Sequence, residues 1–384
     1  MKKVIATAAG LMLVGAMAGS AVAELNITGD ARARFINRDN YDLNADVDDD
    51  NASVESRIRL MLDGKYENAF AHARIKIGDG TWNGAQSGVG TGSDVKSDYA
   101  YLGLKLDKVT VTMGRQIANF GHKFFVWDAR KDRLKAVLKA SDSTTLVGFY
   151  DKGLEVHQAA DETPEAAAAA AALNAQDKDV NVYGAAVVQK FGDNVNAKLL
   201  VISKDDENND DKDGMGATLA FTANAGVTIV GEVSYKEGKL IGKTDDATGG
   251  FVAAVVKSGN MTIVLPAAMT QDGYVADGDF QPTYLYGTQN NPLGALNFGV
   301  GGDTFAVAPS VDVKVSDNLT LHGAVAYADI DGFATVTEID AALMYNLSDK
   351  THVHLKAAHG MLDGANDTEL DDLTGAFVEV QTKF

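Results

Sequence analysis

Basic residues recur in i, i+2 pairs along this chain: Arg32 and Arg34, Arg57 and Arg59, Arg74 and Lys76, Arg133 and Lys135. In an extended strand, residues two apart share a face, so each pair forms two rungs of a cationic ladder. Guanidinium keeps its charge at any working pH, and fixed charges lining a narrow aqueous passage set which ions pass. Asp30 and Glu55 stand in the same registers, which leaves open a second reading as solvated ion pairs. Other chemistry is thinner. His352 and His354 share a face in HVHLK and His322 lies on an earlier strand, but no third metal ligand has a place beside them. The acidic runs DVDDDN and DDENNDDKDG lack the D-x-D-x-D-G-x5-E spacing of a calcium loop. They suit an exposed, solvated surface, or divalent-cation bridging to anionic lipopolysaccharide. No local nucleophile–base signature occurs, so no catalytic residue, metal or cofactor is expected.

The elements that carry these residues alternate with period two. Ile58, Leu60 and Leu62 alternate with Arg57, Arg59 and Asp63; Val227, Ile229, Val233 and Tyr235 with Thr228, Glu232 and Ser234; Leu319, Leu321, Val325 and Tyr327 with Thr320 and His322. About 18 such segments follow one another, each with one apolar face. Tight turns are expected at Asp63-Gly64, Asp107-Lys108, Gly192 to Asn194, Ser258 to Asn260, Ser316 to Asn318 and Ser348 to Lys350. Long polar loops separate them: Asn37 to Asn51, Gly78 to Lys96, Gln116 to Asp132, Gln158 to Lys178, Lys204 to Gly214, Gln271 to Asp303 and Asp363 to Asp372. Short turns at one end and long loops at the other characterise a transmembrane antiparallel β-barrel in an outer membrane, periplasm against exterior. A soluble sandwich has no reason to sort its loops this way.

Residues 1–23 carry two lysines, an apolar run from Val4 to Ala18 and Ala21-Val22-Ala23 before Glu24, the pattern of a secretory signal peptide cleaved after Ala23. The barrel domain is then 24–384. The full chain has 34 basic and 53 acidic residues, a net charge of −19, and loss of Lys2 and Lys3 takes it to −21. Nucleic acid, which needs a clustered basic footprint, is excluded as a partner. No cysteine is present, so stability rests on a large core or a sheet closed in lipid. No later stretch approaches the roughly 20 apolar residues of a spanning helix; Ala166 to Leu173 is the longest low-polarity run.

DYAYLGLKLDKVTVTMGRQ, Asp98 to Gln116, resembles the general, trimeric porins of Gram-negative bacteria. The resemblance rests on Tyr101, Gly103, Leu104 and Lys105, a tight turn, then Gly114, Arg115 and Gln116, with RLKAVLKAS, LVGFYDKG and the terminal Phe384 in support. It implies an all-β barrel of 16 to 18 strands with the third loop folded into the lumen. By position that loop is Ile117 to Asp132, bringing His122, Lys123, Asp128, Arg130 and Asp132 to a constriction. It also implies a homotrimer in outer-membrane lipid and lipopolysaccharide. The terminal strand, ending on Phe384, would be the assembly signal for the barrel-assembly machinery.

The expected function is a water-filled channel for passive diffusion of small hydrophilic solutes and ions. An outer-membrane enzyme of lipase or protease type, and a structural or adhesive surface barrel, are the alternatives.

Overall fold

The computed structural model describes residues 24–41, 51–82, 95–154, 179–206 and 212–384. The expected signal peptide, the Asp46 to Asp50 acidic cluster, the alanine-rich run and Glu207, Asp210 and Asp211 lie outside the described residues. The strands in chain order are β1 (Glu24–Asp39), β2 (Asn51–Tyr66), β3 (Ala69–Thr81), β4 (Val95–Leu106), β5 (Val109–Phe120) and β6 (Val126–Lys139). Next come β7 (Thr144–Leu154), β8 (Val180–Phe191), β9 (Val195–Asp206), β10 (Gly214–Asn224), β11 (Thr228–Lys236), β12 (Ala247–Ser258) and β13 (Met261–Gln271). The last are β14 (Thr304–Val307), β15 (Ser310–Lys314), β16 (Leu319–Ile330), β17 (Ala334–Asn346), β18 (Thr351–Gly364) and β19 (Leu373–Lys383).

Apart from β14 and β15, each strand pairs antiparallel with its sequence neighbour, and β1 pairs with β19, so the sheet closes on itself. β14 and β15 both lie between β13 and β16, end to end, and count as one stave. The break falls at Ala308-Pro309, because proline has no N–H to give the ladder. The barrel therefore has 18 staves, at the upper end of the expected range. Closure matters because an open edge would leave unpaired N–H and C=O groups in lipid.

Alternation sorts the two faces. Ile58, Leu102, Leu134, Val233, Leu265, Val325, Ile339 and Val378 point outward and are widely exposed in the isolated chain. Moving each such side chain from water into hydrocarbon contributes about 1.5–3 kcal/mol. The opposite register carries Asp30, Arg57, Arg74, Glu232, Glu338 and Glu379, all buried. Short turns at 67–68, 107–108, 192–194 and 259–260 gather at one end, as the turn chemistry predicts. The turn expected at Asp63-Gly64 is displaced: β2 continues to Tyr66, because Asp63 pairs with Asn26 and its carboxylate meets His72.

Two connections at the other end turn inward. β5 pairs with β4 only as far as Arg115, and β6 with β7 only from Asp132. Beyond those points β5 and β6 pair with each other alone, out to Phe120 and Val126. The expected third loop is thus a two-stranded hairpin with a tip at 121–125, folded into the lumen. The second is the segment 272–303, expected as a polar surface loop. Instead Tyr274, Phe280, Tyr286, Leu293 and Phe298 are buried. Tyr274, Phe280, Tyr286 and Phe298 pack with hairpin residue Phe124, fully buried, and with lumen-facing Ala268, Ala306, Ala328 and Val336, while Leu293 packs with Ile36 and Phe377. Left in water, those rings would form a large apolar patch, and the inward fold removes it.

Candidate functional site

The ladder is built first by β1 and β2. Their antiparallel register sets Arg32 opposite Arg57 and Arg34 opposite Glu55. Two like charges directly opposed repel, so carboxylates must be interleaved. Asp30 lies 2.9 Å from Arg59 and 3.9 Å from Arg57. Glu379, arriving from β19 across the closing seam, binds Arg34 closely and lies 3.7 Å from Arg32; Glu55 is 3.8 Å from Arg34. On β3, Arg74 pairs with Asp98, and Lys76 lies 3.1 Å from Asp79 and 3.6 Å from Asp98. Asp98 reaches the lumen as the extra residue of a β-bulge, between Tyr99 opposite Arg74 and Ser97 opposite Ile75. The ladder is therefore a mixed network. Even so, the Nε donors of Arg32 and Arg57 have no hydrogen-bond partner among the described residues.

Arg133 and Lys135 do not join that wall. They line a cavity against β7–β9, on the other side of the inward hairpin, with Arg133 held 2.7 Å from Asp151. Spacing shows that residues share a face of one strand, and says nothing about how far round the barrel that strand sits.

The hairpin residues divide in the same way. Arg130 reaches the ladder side, 2.9 Å from Asp98 and 2.8 Å from Asp128. The loop here supplies both a cation, to the wall carboxylate Asp98, and a carboxylate, Asp128. Asp132 is not at the constriction. It shares the outward register of Leu134 and Leu138 and pairs with Arg115 at 3.1 Å, its side chain 57% exposed. It sits where the hairpin leaves the wall, one residue too early to turn inward. His122 is at the tip, its Nε2 3.0 Å from the Phe221 carbonyl oxygen on β10. Lys123 lies over the Trp127 ring.

Glu232, on the lumen face of β11, was not singled out by the sequence. It is 0% exposed, and its carboxylate accepts the backbone N–H groups of His122, Phe124 and Phe125 and the Thr218 hydroxyl. Gly121 carries φ +71 and lies so close that a Cβ would fall 2.3 Å from Glu232 Oε2. Only glycine fits there. The segment 272–303 is held similarly: Glu338 accepts from Leu285 N at 2.9 Å and from the Thr283 hydroxyl, and Asp340 from Tyr284 N. The two inward pieces meet where Asp277 accepts the Trp127 N–H at 3.0 Å.

Burial raises the carboxyls of Asp277 and Asp279 above the ordinary value of 3.8, more than hydrogen bonds from Asp279 N, Trp127 N and Asn290 lower them. Asp128 adds to the rise, while Lys236 and Lys123 oppose it. An acid whose folded pKa is raised stabilises the docked state below its unfolded pKa and loses that contribution as pH rises through the folded value. Docking of 272–303 on the hairpin should thus be tightest in acid and loosen from about pH 4 upward. Open-channel current noise, measured between pH 4 and 7, should rise with pH. A flat or falling profile would contradict this.

Solved structures share this architecture. OpdK, an outer membrane protein from Pseudomonas aeruginosa, superposes with a TM-score of 0.63 at 11% identity, covering 94% of this chain and 98% of that one. OccAB3 of Acinetobacter baumannii gives 0.62 at 12% identity, over 94% and 99%. The chain has the outer-membrane porin fold. A BenF-like porin from Pseudomonas fluorescens Pf-5 matches it at TM-score 0.60 and 10% identity, over 94% and 99%. No protein-family model and no curated protein sequence matches the chain. The porin fold accounts for the inverted sorting of side chains, apolar outside and charged within, that a water-soluble sheet would reverse.

Proposed function

We propose that the protein is an outer-membrane channel for passive diffusion of small hydrophilic solutes, with a preference for anions at its narrow point. The observation that carries this is the arginine network of β1–β3 facing the inward hairpin. Its carboxylates neutralise much of the charge, but among the described residues the seven cations Arg32, Arg34, Arg57, Arg59, Arg74, Lys76 and Arg130 outnumber the six carboxylates that pair with them, Asp30, Glu55, Asp79, Asp98, Asp128 and Glu379. Glutamates and aspartates at the mouth are screened over roughly 8 Å at physiological ionic strength, whereas low-dielectric walls focus the inner charges. OpdK, which has the same fold, has been solved with vanillate, an organic carboxylate. In this reading 1–23 is a cleaved export signal, and the apolar belt sits in outer-membrane lipid and lipopolysaccharide. The barrel-assembly machinery takes the strand ending at Phe384, and the chain forms homotrimers.

Reversal potential in a KCl gradient tests the reading. One guanidinium about 8 Å from a permeating ion contributes about 0.5–2 kcal/mol for an effective dielectric between 80 and 20. Removing two, in Arg57→Ala with Arg59→Ala, should lower the chloride-to-potassium permeability ratio by a factor of about 2 or more. A cation-selective wild type unmoved by the double substitution, or a silent bilayer, would defeat the proposal.

A further inference from the structure

Sequence spacing puts His352 and His354 on one face of β18 and places no third metal donor beside them; strand pairing does. In the register of β17 on β18, Met344 stands directly opposite His354, and Asn346 opposite His352. Directly opposed residues hold their Cβ atoms about 4.5–5.5 Å apart, within reach of a methionine side chain. Met344 shares the lumen register of Glu338 and Asp340, where a water-facing wall calls for polar residues. It joins none of the buried apolar clusters, whereas Met113, Met215, Met261, Met269 and Met361 are exposed in outward registers. The two imidazoles are nearly parallel, 22° between their planes, with centroids 4.9 Å apart. The neighbouring β19 supplies their outer contacts. His352 Nε2 donates to Gln381 Oε1 at 3.4 Å, and His354 Nδ1 lies 3.8 Å from Glu379 Oε1. Metal-bound histidines are oriented in this way, by an oxygen acceptor beside the ring nitrogen that does not ligate. The other two nitrogens, His352 Nδ1 and His354 Nε2, have no hydrogen bond among the described residues.

We infer that Met344, His352 and His354 form a binding site for a soft monovalent cation, copper(I), near the short-turn end of the lumen. A thioether and two imidazoles are donors that copper(I) favours. Two nitrogens bound to one ion at about 2.0 Å are at most about 4 Å apart, so the rings need only tilt toward each other. All three side chains are half-buried, and so within reach of an ion in the lumen. Zinc(II) is less well served. Its structural sites take four thiolate, imidazole or carboxylate ligands. The chain has no cysteine, and among the described residues no three His, Asp or Glu gather as a metal site. Glu379 is already held by Arg34, and Lys356 stands two residues along β18 from His354. A dication beside those cations is repelled about twice as strongly as a monocation. Donor softness and local charge select the same ion.

Binding does not require the barrel to conduct, so it is tested apart from the proposed channel. The folded chain in detergent micelles is titrated anaerobically with copper(I), kept reduced by ascorbate and buffered by bicinchoninate, whose coloured complex reports the copper it retains. About one copper(I) per chain should pass to the wild type. Met344→Leu conserves volume and apolar character. It should weaken copper(I) binding about ten-fold or more and leave zinc(II) affinity unchanged. His352→Ala combined with His354→Ala should abolish copper(I) binding. X-ray absorption at the copper edge should show a sulfur neighbour in the wild type that Met344→Leu lacks. Heat-modifiable migration certifies folding of each variant, and Met344→Leu decides alone if the double substitution does not fold. Copper(I) held no better by the wild type than by the folded double variant, equal copper(I) affinity in Met344→Leu, or displacement of copper(I) by equimolar zinc(II) would overturn the site.

Discussion

Glu232→Ala is expected to enlarge single-channel conductance and make the current unsteady. The substitution removes the acceptor for three backbone N–H groups at the hairpin tip and for the Thr218 hydroxyl. A buried donor left unpaired costs about 1–3 kcal/mol, so two or three of them cost the docked hairpin about 3 kcal/mol or more. A loss of about 3 kcal/mol moves the docked-to-undocked ratio by about a hundred-fold, enough to populate a hairpin swung off the wall. Glu232→Gln keeps one carbonyl acceptor and should fall between wild type and Glu232→Ala. Gly121→Ala should reproduce the effect from the other partner, because its Cβ would collide with the same carboxylate. Wild-type conductance and noise in all three variants would show that the hairpin is held elsewhere.

Phe384→Asp should cut the yield of folded barrel by about ten-fold or more while leaving export intact, a larger effect than its energetics in the finished barrel suggest. The Phe384 N–H donates to the Gly29 carbonyl at 3.0 Å, and Phe384 O accepts from Gly29 N at 2.9 Å, the last rung of the closing seam. Its ring lies over Gly29, where a Cβ would fall 2.4 Å from the ring edge, and is half exposed on the outer face. A carboxylate near the membrane interface costs only about 0–1 kcal/mol. The defect should therefore lie in assembly: barrels that do form should melt close to wild type, and heat-modifiable gel migration of membrane fractions should show few of them. Normal amounts of folded Phe384→Asp barrel would refute this.

The wall was legible because its information is local. Alternation at Ile58 to Leu62 or Leu319 to Tyr327 fixes which side chains face lipid, and the Asp107-Lys108 and Ser348 to Lys350 turns fix the strand ends. What fills the wall was not, because it depends on neighbours round the circumference. Glu232 is one more polar residue in an alternating strand until the hairpin tip arrives 110 residues away. Arg133 and Lys135 looked continuous with Arg57 and Arg74, yet they face a different compartment. Some signals were present in composition. Ile36 and Phe377 are apolar residues in polar lumen registers, and both pack on Leu293 of the segment 272–303. That segment carries Tyr274, Phe280, Tyr284, Tyr286 and Phe298, an aromatic content ill suited to a surface loop.

The segment 272–303 also touches both strands of the seam from inside. Arg38 on β1 donates to the Pro292 carbonyl at 2.7 Å, Tyr41 just beyond it to the Leu293 carbonyl, and Leu293 is packed against Phe377 on β19. A cylinder whose contents are fastened across its own join is riveted as well as zipped. Parting β1 from β19 would have to break these inner contacts along with the ladder, so the filling adds to what the seam alone resists.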